Sequence, residues 1–182
     1  MQPQSPRPLR VFMWSLLILT LGLGVWLQDW GNLLITLLAV LLCLIPYALQ
    51  RFASIRISDK LLVGIVAFVF AGLILGEVND FYDLYPWWDA VLHFVSGGGL
   101  TIMGYILLVS VYQQSAVRST PLLTSFFAFA FTGLVVVLWE VFEFVFDLLV
   151  NPVQPMQANN TDTMLDMILA LLCAAIFCVF GY

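Results

Sequence analysis
Six long apolar stretches alternate with short polar segments along this chain. They cover residues 11–27, 33–49, 61–75, 90–112, 122–150 and 164–180. A helix needs about 20 apolar residues to cross the hydrocarbon of a bilayer, and most of the six are near that length. The third is short and can extend through Val78. The fifth is long, so it must tilt, break or protrude. The pattern predicts an all-α fold, a polytopic transmembrane bundle of about six spans, forming a single integral membrane domain over residues 1–182. Arg7 and Arg10 precede the first run, as in a signal peptide. That run is long for a signal sequence and no A-x-A-like cleavage site follows it, so a retained first helix is expected.

Composition agrees with the pattern. Hydrophobic residues make up 63% of the chain and charged residues 9%, against about a quarter charged in soluble domains. Lipid must solvate much of this surface. Six Lys and Arg and a net charge of -5 exclude a nucleic-acid footprint, which needs basic side chains along a phosphate backbone. Cys43, Cys173 and Cys178 lie in apolar runs without metal-type spacing. They read as small buried apolar residues, not as a disulfide framework.

The basic residues set an orientation. Arg7 and Arg10 precede the first span, Arg51, Arg56 and Lys60 lie between the second and third, and Arg118 lies between the fourth and fifth. All six fall on one face, which the positive-inside rule makes cytoplasmic. Both termini are then cytoplasmic. Aromatic residues follow the same division: Trp26, Trp30, Tyr82, Tyr85, Trp87 and Trp88 at the outer interface, and Trp14, Tyr47 and Tyr112 at the inner one. Gly72 and Gly76 form a GxxxG pair, and Gly97, Gly98 and Gly99 leave a helix stretch without side chains. Close helix packing is the favoured reading of both, with approach to a ligand as the alternative for the triplet.

The acidic residues are not scattered. Asp59 alone belongs to the cytoplasmic side. Asp29, Glu77, Asp80, Asp83, Asp89, Glu140, Glu143, Asp147, Asp162 and Asp166 fall on or near the outer side, together with His93, the single histidine. Asp89 and His93 are four apart, Glu140 and Glu143 three apart, and Asp162 and Asp166 four apart. Each pair therefore shares one helix face. A rise of about 1.5 Å per residue puts His93 about 9 Å past Trp87, Glu143 about 12 Å before Asn151 and Asp166 about 7–8 Å past Thr161. These are similar depths below the outer boundary.

An Asp at the middle of a spanning helix costs roughly 2.5–3.5 kcal/mol. Carboxylates facing one another without a cation repel. One inward-facing polar site holding a metal, protons or a cationic group is the economical arrangement. Individually, most of these residues have plainer explanations. Asp89 and Asp162 can be helix N-terminal charges, Thr163 and Asp166 a capping box, and His93 a hydrogen-bonded polar residue. Glu77, Asp80 and Asp83 can be a solvated loop face, and Asp147 an interfacial side chain. Glu140 and Glu143 resist such readings, because mid-helix carboxylates cannot be caps.

The segment Trp88-Asp89-Ala90-Val91-Leu92-His93-Phe94, with Gly97 beyond, resembles the Tyr-Asp-x-x-x-His-Phe-x-x-Gly segment of YjdF-type bacterial inner-membrane proteins. Trp139-Glu140-Val141-Phe142-Glu143-Phe144 is similar to their Tyr-Glu-x-x-Glu-Trp segment, and Asp162-Thr163-Met164-Leu165-Asp166-Met167 to their Asp-Thr-x-x-Asp-Met segment. The order agrees, and the resemblance covers about half the chain. Trp88 and Trp139 stand where the family has tyrosine, and Phe144 where it has tryptophan. A more distant likeness to VanZ-type membrane proteins runs through the Asp-x-x-x-His-Phe segment. The resemblance implies an inner-membrane protein and brings no activity with it.

Three functions compete. In the first, a divalent metal (Mn, Fe, Mg or Zn) activates water against a lipid or lipid-linked substrate. Its candidate ligands are Asp89, His93, Glu140, Glu143, Asp162 and Asp166, with His93 and Glu140 as first choices. The second is proton- or cation-coupled transport, which needs polar groups continuing inward. Thr101, Ser110, Thr124, Ser125 and Thr132 are the few available. The third is a non-enzymatic subunit whose acidic cluster meets a basic partner chain or a second copy of the protein.

Overall fold
The computed structural model describes residues 7–27, 30–53, 55, 57–114, 119–150 and 155–180. The elements are α1 (Arg7–Leu27), α2 (Trp30–Phe52), α3 (Asp59–Val69) with a π-helical continuation (Phe70–Val78), the single turn α4 (Phe81–Leu84), α5 (Trp88–Gln114), α6 (Pro121–Val150) and α7 (Asn160–Phe180). No strand occurs among the described residues, and the all-α expectation holds. Asp29, Arg56, Arg118 and Asn151, used in the charge and depth arguments, lie outside them.

Five segments are long and apolar enough to span: α2, Asp59–Val78, α5, α6 and α7. At most 33% of any of them is buried inside the molecule, so the remaining apolar surface needs lipid. Helix α1, of 21 residues, occupies the place of the predicted first span. Of the three alternatives for the long fifth run, a break does not occur: α6 is one helix of 30 residues, which leaves tilt or protrusion.

The chain forms two compact units, Met1–Pro86 and Trp87–Tyr182. In the first, α1 packs along α2, with Leu17, Ile35, Ala39, Cys43, Leu62 and Val66 buried. Trp14 and Tyr47 stack across α1 and α2 with ring centroids 6.4 Å apart. Ser58 caps α3 by accepting from the Leu61 amide. The π-helical stretch widens the backbone ladder by one residue per hydrogen bond, and the Asn79 side chain donates to the Ile74 carbonyl beneath it at 2.6 Å. The GxxxG pair falls in this stretch and faces the ring of Tyr82 from α4. A Cβ on Gly76 would strike that ring. Proximity in sequence, just past the left-handed Asp80 (φ 57°), explains the match.

In the second unit α5, α6 and α7 each pack on the other two. Small residues set the spacing. A Cβ on Gly97 would collide with the Ala170 backbone, one on Gly98 with Phe177, and one on Gly104 with Ala128. Gly99 has nothing within 4 Å, so close packing explains two glycines of the triplet and not the third. Between α5 and α6, the buried hydroxyls of Thr101 and Thr132 lie 3.0 Å apart, and Tyr105 and Ser125 pair at 2.7 Å. Cys43, Cys173 and Cys178 are free thiols; the first two are buried as expected, whereas Cys178 is half-buried and donates to the Ser125 carbonyl at 3.4 Å.

Candidate functional site
The three helices of the second unit bring their acidic positions to one place. Asp89 stands in the first turn of α5 and His93 one turn further, so the i,i+4 spacing puts both on one face. His93 Nε2 lies 3.3 Å from Asp89 Oδ1. Asp166 comes from the second turn of α7 and is buried. Ligand-capable atoms of Asp89, His93 and Asp166 all lie within 4.8 Å of one another.

The approach of α5 to α7 explains this convergence. Gly97 is four residues after His93, and Ala170 four after Asp166. Their backbones touch, so the two helices are clamped one turn beyond the two side chains. Both helices leave the site in the same direction, which keeps the registers matched.

Helix α6 contributes Glu140, with 5% of its surface exposed. Its Oε1 lies 3.9 Å from His93 Nδ1. Among the described residues neither carboxylate oxygen has a hydrogen-bond partner; Gln157 comes near without meeting hydrogen-bond geometry. A buried polar group left unsatisfied costs about 1–3 kcal/mol, and more when charged. No Lys or Arg occurs among the described residues of this unit to balance the cluster.

The capping-box expectation fails for a structural reason. Asn159 caps α7, its Oδ1 accepting from the amides of Thr161 and Asp162. The helix therefore begins earlier, Thr163 and Asp166 lie inside it, and Asp166 is released from any capping duty. Asp162 is half-buried in the first turn of α7, within electrostatic reach of Asp89 and His93 but outside the closest group. Glu143, also half-buried, does not belong to that group either.

Asp147 does something its sequence position does not suggest. It accepts from the Met156 amide through Oδ1 and the Gln157 amide through Oδ2, both at 2.9 Å. This clamp folds the segment before α7 back onto α6 and fixes Gln157 near Glu140. A cavity of about 460 Å³ lies between α6 and α7 there. Gln157, Asn160 and Thr163 form its polar side, and Val141 and Phe144 its apolar side. These last two are more than half exposed, at 52% and 56%, so the cavity faces lipid. Glu140 lines the same cavity and stands between it and His93.

Comparison with known proteins adds a family without an activity. The chain is 29% identical over 127 residues to an uncharacterized protein of Thermotoga maritima, covering 70% of this chain and 64% of that one. It thus spans a little under two thirds of that relative. No solved structure matches. The family model described as "Predicted membrane protein (DUF2238)" matches residues 8–182, in accord with the YjdF-type resemblance of the three motifs. With nearly its whole length matched, and with apolar helices and motif positions where such a protein needs them, the chain belongs to the DUF2238 family of predicted membrane proteins.

Proposed function
We propose that this protein is a multi-pass bacterial inner-membrane protein, with both termini cytoplasmic, that holds one divalent metal near its outer face and uses it on a lipid or lipid-linked substrate. The observation that carries this reading is the meeting of Asp89, His93 and Asp166 beside a buried Glu140 that has no hydrogen-bond partner among the described residues. A cation is the natural occupant of a buried acidic cluster that holds no Lys or Arg among the described residues of its unit.

One spacing in the group suits an ion. Bonds of about 2.0–2.1 Å give ligand-to-ligand edges of about 3.3 Å in a tetrahedral site and about 3.0 Å in an octahedral one. The Nε2 to Oδ1 distance is 3.3 Å; with a proton in place of the metal it is an ion pair. One imidazole with carboxylates suits Mn, Fe, Mg or Zn. Such an ion would lower the pKa of a bound water and so supply a nucleophile for hydrolysis. The protein's part is to fix the ligands and admit the substrate. The lipid-facing cavity between α6 and α7 offers a route for an amphiphile, its chain along Val141 and Phe144 and its head toward Gln157, Asn160 and Thr163.

A proton or cation path is the second reading. The buried Thr101–Thr132 pair and the part-buried Tyr105–Ser125 pair favour it, because they continue polar groups along α5 and α6. His93 and Thr101 are, however, eight residues or about 12 Å apart. That interval is closed where Gly97 and Gly98 pack against α7. A site open from one side agrees better with this packing.

The test is metal content by elemental mass spectrometry on protein purified in detergent without chelator. Wild type is expected to carry close to one equivalent, and His93→Ala and Asp166→Asn to lose it. A folded wild type without metal, after offering each of the four ions, overturns the proposal in favour of transport or a basic partner subunit.

A further inference from the structure
We infer that Glu140 is a positioning residue for His93 and not a ligand of the metal. This rests on the reading that Asp89, His93 and Asp166 hold a divalent ion. The two ring nitrogens of His93 face different carboxylates: Nε2 faces Asp89 at 3.3 Å and Nδ1 faces Glu140 at 3.9 Å. Their lone pairs diverge, so one ion cannot take both. An ion shared with Asp89 sits on the Nε2 side. Nδ1 then carries the ring proton and needs an acceptor, and Glu140 offers two unpartnered oxygens in a buried position. Metal-bound histidines commonly donate their second N–H to a carboxylate, which fixes tautomer and ring orientation and raises ligand basicity. The present 3.9 Å must shorten by about 1 Å to become a hydrogen bond, which is the adjustment that ion binding is inferred to bring.

This assigns the three acidic helices unequal parts. Helices α5 and α7, clamped at Gly97 and Ala170, carry the ligands. Helix α6 carries the group that aims one of them, and places it where the lipid-facing cavity begins.

The chain has a single histidine, so ¹⁵N-histidine labelling reports this ring alone. With zinc bound to full-length protein in detergent, Nδ1 is expected protonated and Nε2 unprotonated and metal-shifted. Cobalt(II) titration of metal-free protein supplies the second readout. Glu140→Gln keeps an acceptor oxygen, so it should retain one cobalt with the wild-type visible spectrum at roughly 10–100-fold weaker affinity. Glu140→Leu should be weaker still. Asp166→Asn, which alters a ligand, should change the spectrum or lose the ion.

Three results overturn the inference. They are a Glu140→Gln spectrum altered like that of Asp166→Asn, wild-type affinity in both Glu140 variants, or a protonated Nε2. Wild type that binds neither zinc nor cobalt removes the underlying metal reading as well. That failure is distinct from the other three, all of which require a bound ion.

Discussion
Substituting Gly97 by alanine tests whether the α5–α7 clamp builds the site. A Cβ there would lie 2.8 Å from the Ala170 carbonyl carbon and 2.9 Å from its Cα, and closer still to its oxygen. Ordinary contact begins at 3.4 Å, so the helices must part by at least 3.4 minus 2.8, or 0.6 Å. Both partners are backbone, and neither can swing aside. Overpacking of this kind costs about 1–3 kcal/mol, partly offset by the gain of about 1 kcal/mol from glycine to alanine in a helix. The net loss of stability is therefore about 0–2 kcal/mol. The larger effect falls on His93 and Asp166, one turn away. Metal bonds tolerate about ±0.2 Å, so a displacement three times larger should weaken binding at least about tenfold, or 1.4 kcal/mol. The assay is cobalt or zinc titration in detergent, beside thermal unfolding. Gly99→Ala is the matched control, since nothing lies within 4 Å of that position; it should bind like wild type and be as stable or more so. Equal binding by folded Gly97→Ala and Gly99→Ala would refute the clamp.

Two further predictions concern the rest of the chain. Asp147→Ala frees the amides of Met156 and Gln157; we expect a loss of about 1–2 kcal/mol in thermal unfolding, discounted for the partial exposure of Asp147, while stoichiometric metal is retained. Orientation is checked in a background with the three cysteines replaced by serine: a membrane-impermeant maleimide added to spheroplasts should label Asp83→Cys and not Lys60→Cys, and the reverse pattern would invert the topology.

Much of the fold was legible because lipid makes a simple demand. Every spanning backbone must be helical, so apolar run lengths translate directly into α2, α5, α6 and α7. The neighbourhood of Asp89, His93, Glu140 and Asp166 was legible in part, from helix spacing at similar depth, but the same spacing also enlisted Glu143 and Asp162, which stay outside the closest group. What stayed hidden depends on contacts between segments. The start of α7 was ambiguous because Thr-x-x-Asp competes with Asn159, and only the backbone path shows which one caps. The π-helical turn after Val69 has no local signature. The Asp147 clamp spans nine and ten residues across a loop, where no period points. The division of labour between Glu140 and the other carboxylates rests on which nitrogen of one ring each faces, a matter of side-chain direction that spacing cannot carry.

The unbroken length of α6 bears on where the site meets its surroundings. Thirty residues rise about 45 Å, and even a tilt of about 40°, the upper end of what spanning helices adopt, leaves a vertical span of about 34 Å against about 30 Å of hydrocarbon. The helix must therefore emerge into the headgroup layer. Glu140 is ten residues, about 15 Å, from its final residue Val150. With the excess length shared between its two ends, the carboxylate lies about 8–9 Å inside the hydrocarbon boundary. A water molecule or a lipid's polar linkage that meets it there must first leave the headgroup layer, and the polar side of the cavity at Gln157, Asn160 and Thr163 would lie on its way.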